Sequence, residues 1–140
     1  MTETAAAAPD AQPAVDEDTV VITLPSDSAY LAVLRTATAG LAARLDFTLD
    51  DIEDLRIAVD EACAMLLATA VPGEDVECTF CVESDCLTVD IAVRTTDGVE
   101  PSRDTFAWTV LAALAGEVDS RTDSEDRVVI TMRKRRGAAA

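Results

Sequence analysis

The stretch Thr48–Ala70, TLDDIEDLRIAVDEACAMLLATA, limits what this chain can fold into more than any other. Thr48 stands three residues before Asp51, a capping-box pattern. Asp50, Asp51, Glu53 and Asp54 crowd the first turns, where the helix dipole favours anions. Ile52, Leu55, Val59, Ala62, Cys63, Leu66 and Leu67 recur at helical spacing and make one apolar stripe. Pro72-Gly73 stops the helix. Ile57, Ala58, Ala64, Met65 and Ala68 make its far side apolar as well, with Glu61 among them. A helix apolar all round is expected to be covered on both sides, one of them by a sheet.

The sheet is legible in the next stretch. Val76, Cys78, Phe80 and Val82 alternate with Glu77, Thr79, Cys81 and Glu83. Leu87, Val89, Ile91 and Val93 then alternate with Cys86, Thr88, Asp90 and Ala92. A two-residue turn at Ser84-Asp85 pairs Val82 with Leu87, Phe80 with Val89 and Cys78 with Ile91, which puts the apolar residues on one face. Upstream, Thr19–Leu24 reads as a first strand ended by Pro25. Ser26 or Asp27 can cap a helix running to about Leu45, with Tyr30, Leu31, Leu34, Ala37, Thr38, Leu41 and Leu45 as its stripe. Arg35 stands off that stripe among small residues.

Downstream, Thr95–Arg103 is a loop, and Asp104 is expected to cap a third helix, Thr105–Ala115, with Phe106, Val110, Leu111 and Leu114 inward. Glu117–Arg121 and Arg127–Arg133 read as a closing hairpin. The order β-α-α-β-β-α-β-β predicts an α+β fold, a two-layer sandwich whose mixed, mostly antiparallel sheet carries three helices on one face. The other face is expected to be exposed at Glu77, Thr79, Glu83, Thr88 and Asp90. Residues 1–18, made of Ala, Pro and acid, have too little apolar surface to pack and are expected to be disordered. The folded domain is then 19–133, followed by a flexible tail, 134–140. The basic run Arg133-Lys134-Arg135-Arg136 reads as a solvated end.

A chain of 140 residues is long enough for one real core. Its net charge of −16 argues against nucleic acid and anionic membrane, whose phosphates would be repelled, and suits a basic protein partner. No apolar run approaches the roughly 18 residues of a membrane helix. The first residues lack the basic-then-apolar order of a signal peptide, so the expected location is the cytoplasm. Without histidine, zinc would need all four cysteines, and Cys78 and Cys81 point to opposite faces of one strand. Cys63, Cys78, Cys81 and Cys86 are therefore expected to be structural thiols, neither paired nor metal-bound.

Phe47–Ala62, FTLDDIEDLRIAVDEA, together with Leu24–Leu45, resembles the RsbW-type anti-sigma factors, a branch of the histidine-kinase-like (Bergerat-fold) ATPases. The similarity runs from about Val20 to Val93 and resumes at Phe106–Val118. The resemblance implies a protein that binds an alternative sigma factor and keeps it from core RNA polymerase. A STAS-domain anti-anti-sigma protein releases it. Many members also phosphorylate that antagonist with ATP, and members commonly form homodimers. Arg35 matches a first-helix arginine that contacts both partners, where a guanidinium can fork onto a carboxylate.

The nucleotide motifs match less well. Glu61 occupies the catalytic glutamate of the N-box, E-x-x-x-N, but the magnesium-orienting Asn is Met65, whose thioether is a poor ligand for a hard cation. The adenine-holding D-x-G falls on Val93 and Thr95; Asp97-Gly98 could serve only after an insertion. The glycine pair that lets phosphates approach the last helix is replaced by Thr105 and Ala107, followed by Trp108. The ATP lid shrinks to about Gly98–Arg103. The resemblance thus implies sequestration without ATP or magnesium, with Met65, Ala64, Ala68 and Trp108 in the nucleotide space and Glu61 idle. The alternative is an ATP-dependent protein serine kinase that also binds sigma; a third reading keeps only STAS-domain partners.

Overall fold

A computed structural model describes residues 17–137. Most of the expected N-terminal tail and the last three residues lie outside the described residues. Strand β1 (Asp18–Pro25) leads through a 3-10 turn (Ser28–Tyr30) into α1 (Leu31–Arg44) and α2 (Leu49–Leu67). The hairpin β2 (Asp75–Val82) and β3 (Cys86–Val93), helix α3 (Phe106–Ala115) and the hairpin β4 (Glu117–Thr122) and β5 (Val128–Arg135) complete the order. The five strands lie as β1-β2-β3-β5-β4. Every pairing is antiparallel, which corrects the expected mixed sheet while keeping the two-layer α+β sandwich.

The first hairpin has the register its alternation dictates, with Val82 opposite Leu87, Phe80 opposite Val89 and Cys78 opposite Ile91. These residues are buried under the helices. On the other face Glu77, Thr79, Glu83, Thr88 and Asp90 are half-buried. Arginines lying across that face cover them: Arg127 bonds Glu77 at 3.2 Å, and Arg133 reaches Glu83 at 3.3 Å and Thr88 at 3.1 Å.

Local chemistry sets the helix ends. Thr48 caps α2, its hydroxyl accepting from the Asp51 N–H, and Asp27 accepts from the Ala29 N–H at the turn before α1. Cap and register put Leu55, Ala58, Val59, Ala62, Cys63 and Leu66 in the core. The far side of α2 is not covered, contrary to expectation. Ile57, Ala64 and Ala68 are exposed, and Met65 and Glu61 are half-buried. Alanines expose little apolar area, so an open far side costs little.

The third helix is rotated from its expected setting. Thr105, not Asp104, is its N-cap, and Trp108, Leu111 and Ala115 face inward. Phe106 points out, 82% exposed. Gly116, at φ 86°, then turns the chain straight into β4. A Cβ there would also sit 3.1 Å from the Arg133 carbonyl, so glycine is required twice over.

The basic end is a tether. Strand β5 runs two residues past the expected boundary at 133. Lys134 donates to the Leu114 carbonyl near the end of α3 and lies 3.7 Å from Asp51 in the first turn of α2. Arg136 donates to the Leu45 carbonyl at the end of α1. Cations at two helix C-termini oppose the helix dipoles favourably. Lys134→Met, which keeps the stem and deletes the charge, is expected to lower stability by about 1–2 kcal/mol in urea denaturation. An unchanged midpoint would return Lys134 to the status of a solvated end.

Candidate functional site

Of the residues matched to the nucleotide motifs, Met65 and Thr95 come together, where the end of α2 meets the loop after β3. Met65, Leu66 and Thr69 of the α2 end, with Thr95, Asp97, Val99, Glu100 and Pro101, line a cavity of about 200 Å³. Glu61 is half-buried one turn before Met65 but is not part of this lining. Val93 is fully buried in the core.

The loop after β3 is closed on itself. The Thr96 N–H bonds the Thr69 carbonyl at 2.7 Å, drawing the loop to the end of α2. The buried Thr95 hydroxyl accepts from the Gly98 N–H at 3.0 Å, and Gly98 takes a positive φ. The exposed Asp97 carboxylate accepts from the Val99 N–H and faces the Thr95 hydroxyl. A carboxylate committed to its own turn has less to offer a ligand.

The segment Gly98–Arg103 is fastened to the edge strand. Glu100 accepts from the Ser120 hydroxyl at 2.8 Å, while Arg103 bonds Asp119 at 2.5 Å and Ser120 at 3.2 Å. The Arg103 bond holds the Asp119 carboxyl below the usual carboxylate range. The same guanidinium lies 5.1 Å from the centroid of the buried Trp108 ring, a cation–π contact. At the start of α3 the Thr105 hydroxyl accepts from the Trp108 N–H at 3.1 Å. That amide is one of the free donors by which a helix start holds a phosphate, and it is already used.

These residues do not fit ATP with magnesium. The cavity is below the roughly 300–1,000 Å³ of small-molecule sites. The position matched to the family's magnesium-orienting Asn carries the Met65 thioether, and the start of α3 is capped from within by Thr105. Of the side chains expected to fill the nucleotide space, Met65 lines the cavity and Trp108 is buried; Ala64 and Ala68 face solvent.

Arg35 is not a lone solvated cation. Its Nη1 donates to Oδ1 of Asp60 on α2 at 2.9 Å, and the two side chains are 35% and 36% exposed. Sequence reasoning missed Asp60, because a pair 25 residues apart and spanning two helices leaves no local spacing signal. The Arg127–Asp123–Glu77 group on the open sheet face was missed for the same reason.

No protein-family model matches the chain. It is 34% identical over 118 residues to the anti-sigma-F factor RsbW of Mycobacterium tuberculosis, which covers 79% of this chain and 69% of that relative. The chain belongs to the RsbW family of anti-sigma factors. Serine-protein kinases named RsbW are similar over shorter spans. The protein of Bacillus velezensis is 37% identical over 78 residues, 54% of this chain and 49% of its own length. That of Halalkalibacterium halodurans reaches 48% over only 46 residues, 33% and 28%. In this chain Arg35 is paired with Asp60, and Met65 and Thr95 lie beside a small, internally bonded loop.

Proposed function

We infer that this member of the RsbW family is an anti-sigma factor that sequesters an alternative sigma factor stoichiometrically and does so without nucleotide. The Mycobacterium tuberculosis relative is named for sigma-F, so a sigma-F-type factor is the proposed partner. A STAS-domain anti-anti-sigma protein is the proposed antagonist, with Arg35 contacting both. A homodimer is proposed as well, supported by the exposed Val20 and Val21 on β1, whose outer edge has no neighbouring strand among the described residues. Such a protein works where RNA polymerase works, in the cytoplasm, and among the described residues no helix is long and apolar enough to cross a membrane.

The observation that carries the nucleotide-free part is the cavity beside Met65. It measures about 200 Å³ and carries the Met65 thioether at the position matched to the family's magnesium-orienting Asn, and at the start of α3 the Thr105 hydroxyl already takes the Trp108 amide. Sequestration needs only a surface, so loss of this site leaves it intact. Calorimetry with ATP and magnesium is expected to show no binding tighter than about 10 μM, roughly −7 kcal/mol. Tighter binding, or phosphate transfer to a STAS-domain protein, would return the chain to the serine-kinase reading.

A further inference from the structure

The geometry points to Asp60 as the positioning residue for Arg35: it holds the guanidinium by Nη1 so that the Nε–Nη2 edge faces an incoming carboxylate of the sigma factor. This rests on the sigma-binding reading above and on the contact role given there to Arg35. The decisive feature is which nitrogen Asp60 takes. A carboxylate forks onto an arginine through two parallel N–H groups, and Nε with Nη2 forms one such edge. Asp60 uses Nη1 alone, and among the described residues Arg35 has no other hydrogen-bond partner. The fork edge is left whole while the side chain is already fixed.

The surroundings suit a contact that a partner covers. On α2, Ile57 and Ala64 stand three residues before and four after Asp60, so they share its helix face, and both are exposed. On α1, Ala32 and Ala39 flank Arg35 in the same way, exposed and half-buried. Inside this apolar frame a covering partner removes water, which strengthens the charge-assisted bonds. An arginine held in place gives up less rotamer freedom on binding than a loose one.

The test is a double-substitution cycle read by biolayer interferometry, with the purified sigma-F-type sigma factor of the chain's own host as the probe and thermal melts alongside. Arg35→Ala is expected to weaken binding about thirtyfold or more. Asp60→Ala should weaken it about five- to tenfold, and should add nothing in the Arg35→Ala background. Asp60→Asn keeps an acceptor at the same atom and should recover most of the loss. The proposal is overturned if Asp60→Ala binds as wild type or tighter, if its penalty persists without Arg35, or if Asn recovers nothing. A normal Arg35→Ala complex overturns it too while leaving sequestration standing. If the wild type binds no sigma factor, the functional reading and this inference fall together.

Discussion

Raising the pH from about 8 to about 11 is expected to cost the fold roughly 5 kcal/mol, a large part of the stability of an ordinary domain. Cys63 and Cys78 carry the larger part, and the raised Cys81 and Cys86 thiols add to the same window. Burial pushes the Cys63 thiol from 9.0 up to about 12, with Asp60 adding to the shift and Arg35 opposing it. Burial likewise pushes the Cys78 thiol far up, reinforced by Cys63 and Asp90. The native state therefore holds these protons more tightly than the unfolded chain. Their contribution is whole below about pH 9 and is lost as the pH climbs towards the folded values. The loss is about 1.4 kcal/mol per pH unit for each thiol. Urea denaturation at successive pH values measures the slope. The Cys63→Ala/Cys78→Ala protein should lose most of that slope, whatever its absolute stability. An equally steep decline in the double variant would assign the effect to other groups.

Trp108→Ala is expected to destabilise the protein by about 3–5 kcal/mol, the cost of emptying a large buried aromatic site. Trp108 is only 6% exposed, and its ring also carries the Arg103 guanidinium. Its loss removes one of the supports of the Gly98–Arg103 segment, whose other ties run to Ser120 and Asp119. Limited proteolysis should cut the variant between Gly98 and Asp104 faster than wild type under native conditions. Chemical denaturation supplies the energy. A loss below about 1 kcal/mol would mean that the ring is not the packing element described here.

How much of this was legible in the chain depended on how many alternatives each local pattern allowed. In the β2–β3 hairpin a slip of one residue would turn every apolar side chain to the wrong face, so alternation and turn length together left one register. The α2 cap was legible because Thr48 and the acidic first turn are a local signal. Helix α3 was not. FAWTVLAALA is apolar in nearly every direction, so its periodicity cannot choose between Phe106 and Trp108 as the inward aromatic. The tertiary packing and the Thr105 cap made that choice. The far side of α2 misled in the opposite way, since small apolar residues at Ala64 and Ala68 tolerate water as well as they tolerate cover.

The candidate site was legible in its positions and not in its contacts. Met65, Thr95, Thr105 and Ala107 were identified from motif spacing; Met65 and Thr95 line one cavity, while Thr105 caps α3. Nothing in the spacing revealed that Thr105 would take the Trp108 amide, or that Glu100 and Arg103 would fasten the shortened segment to β4. Ion pairs between elements distant in sequence are invisible to local pattern. Lys134 with Asp51 and Arg35 with Asp60 both arise only when the helices are laid on the sheet.

Single-round transcription with reconstituted holoenzyme tests the central claim most directly. RNA polymerase core is mixed with the host's sigma-F-type factor and increasing amounts of this protein, with a sigma-specific promoter and initiating nucleotides that exclude ATP. The protein is expected to silence the promoter as it reaches equivalence with sigma, and added ATP should not change the titration. Silencing that appears only with ATP, or full transcription at several equivalents of the protein, would contradict nucleotide-free sequestration.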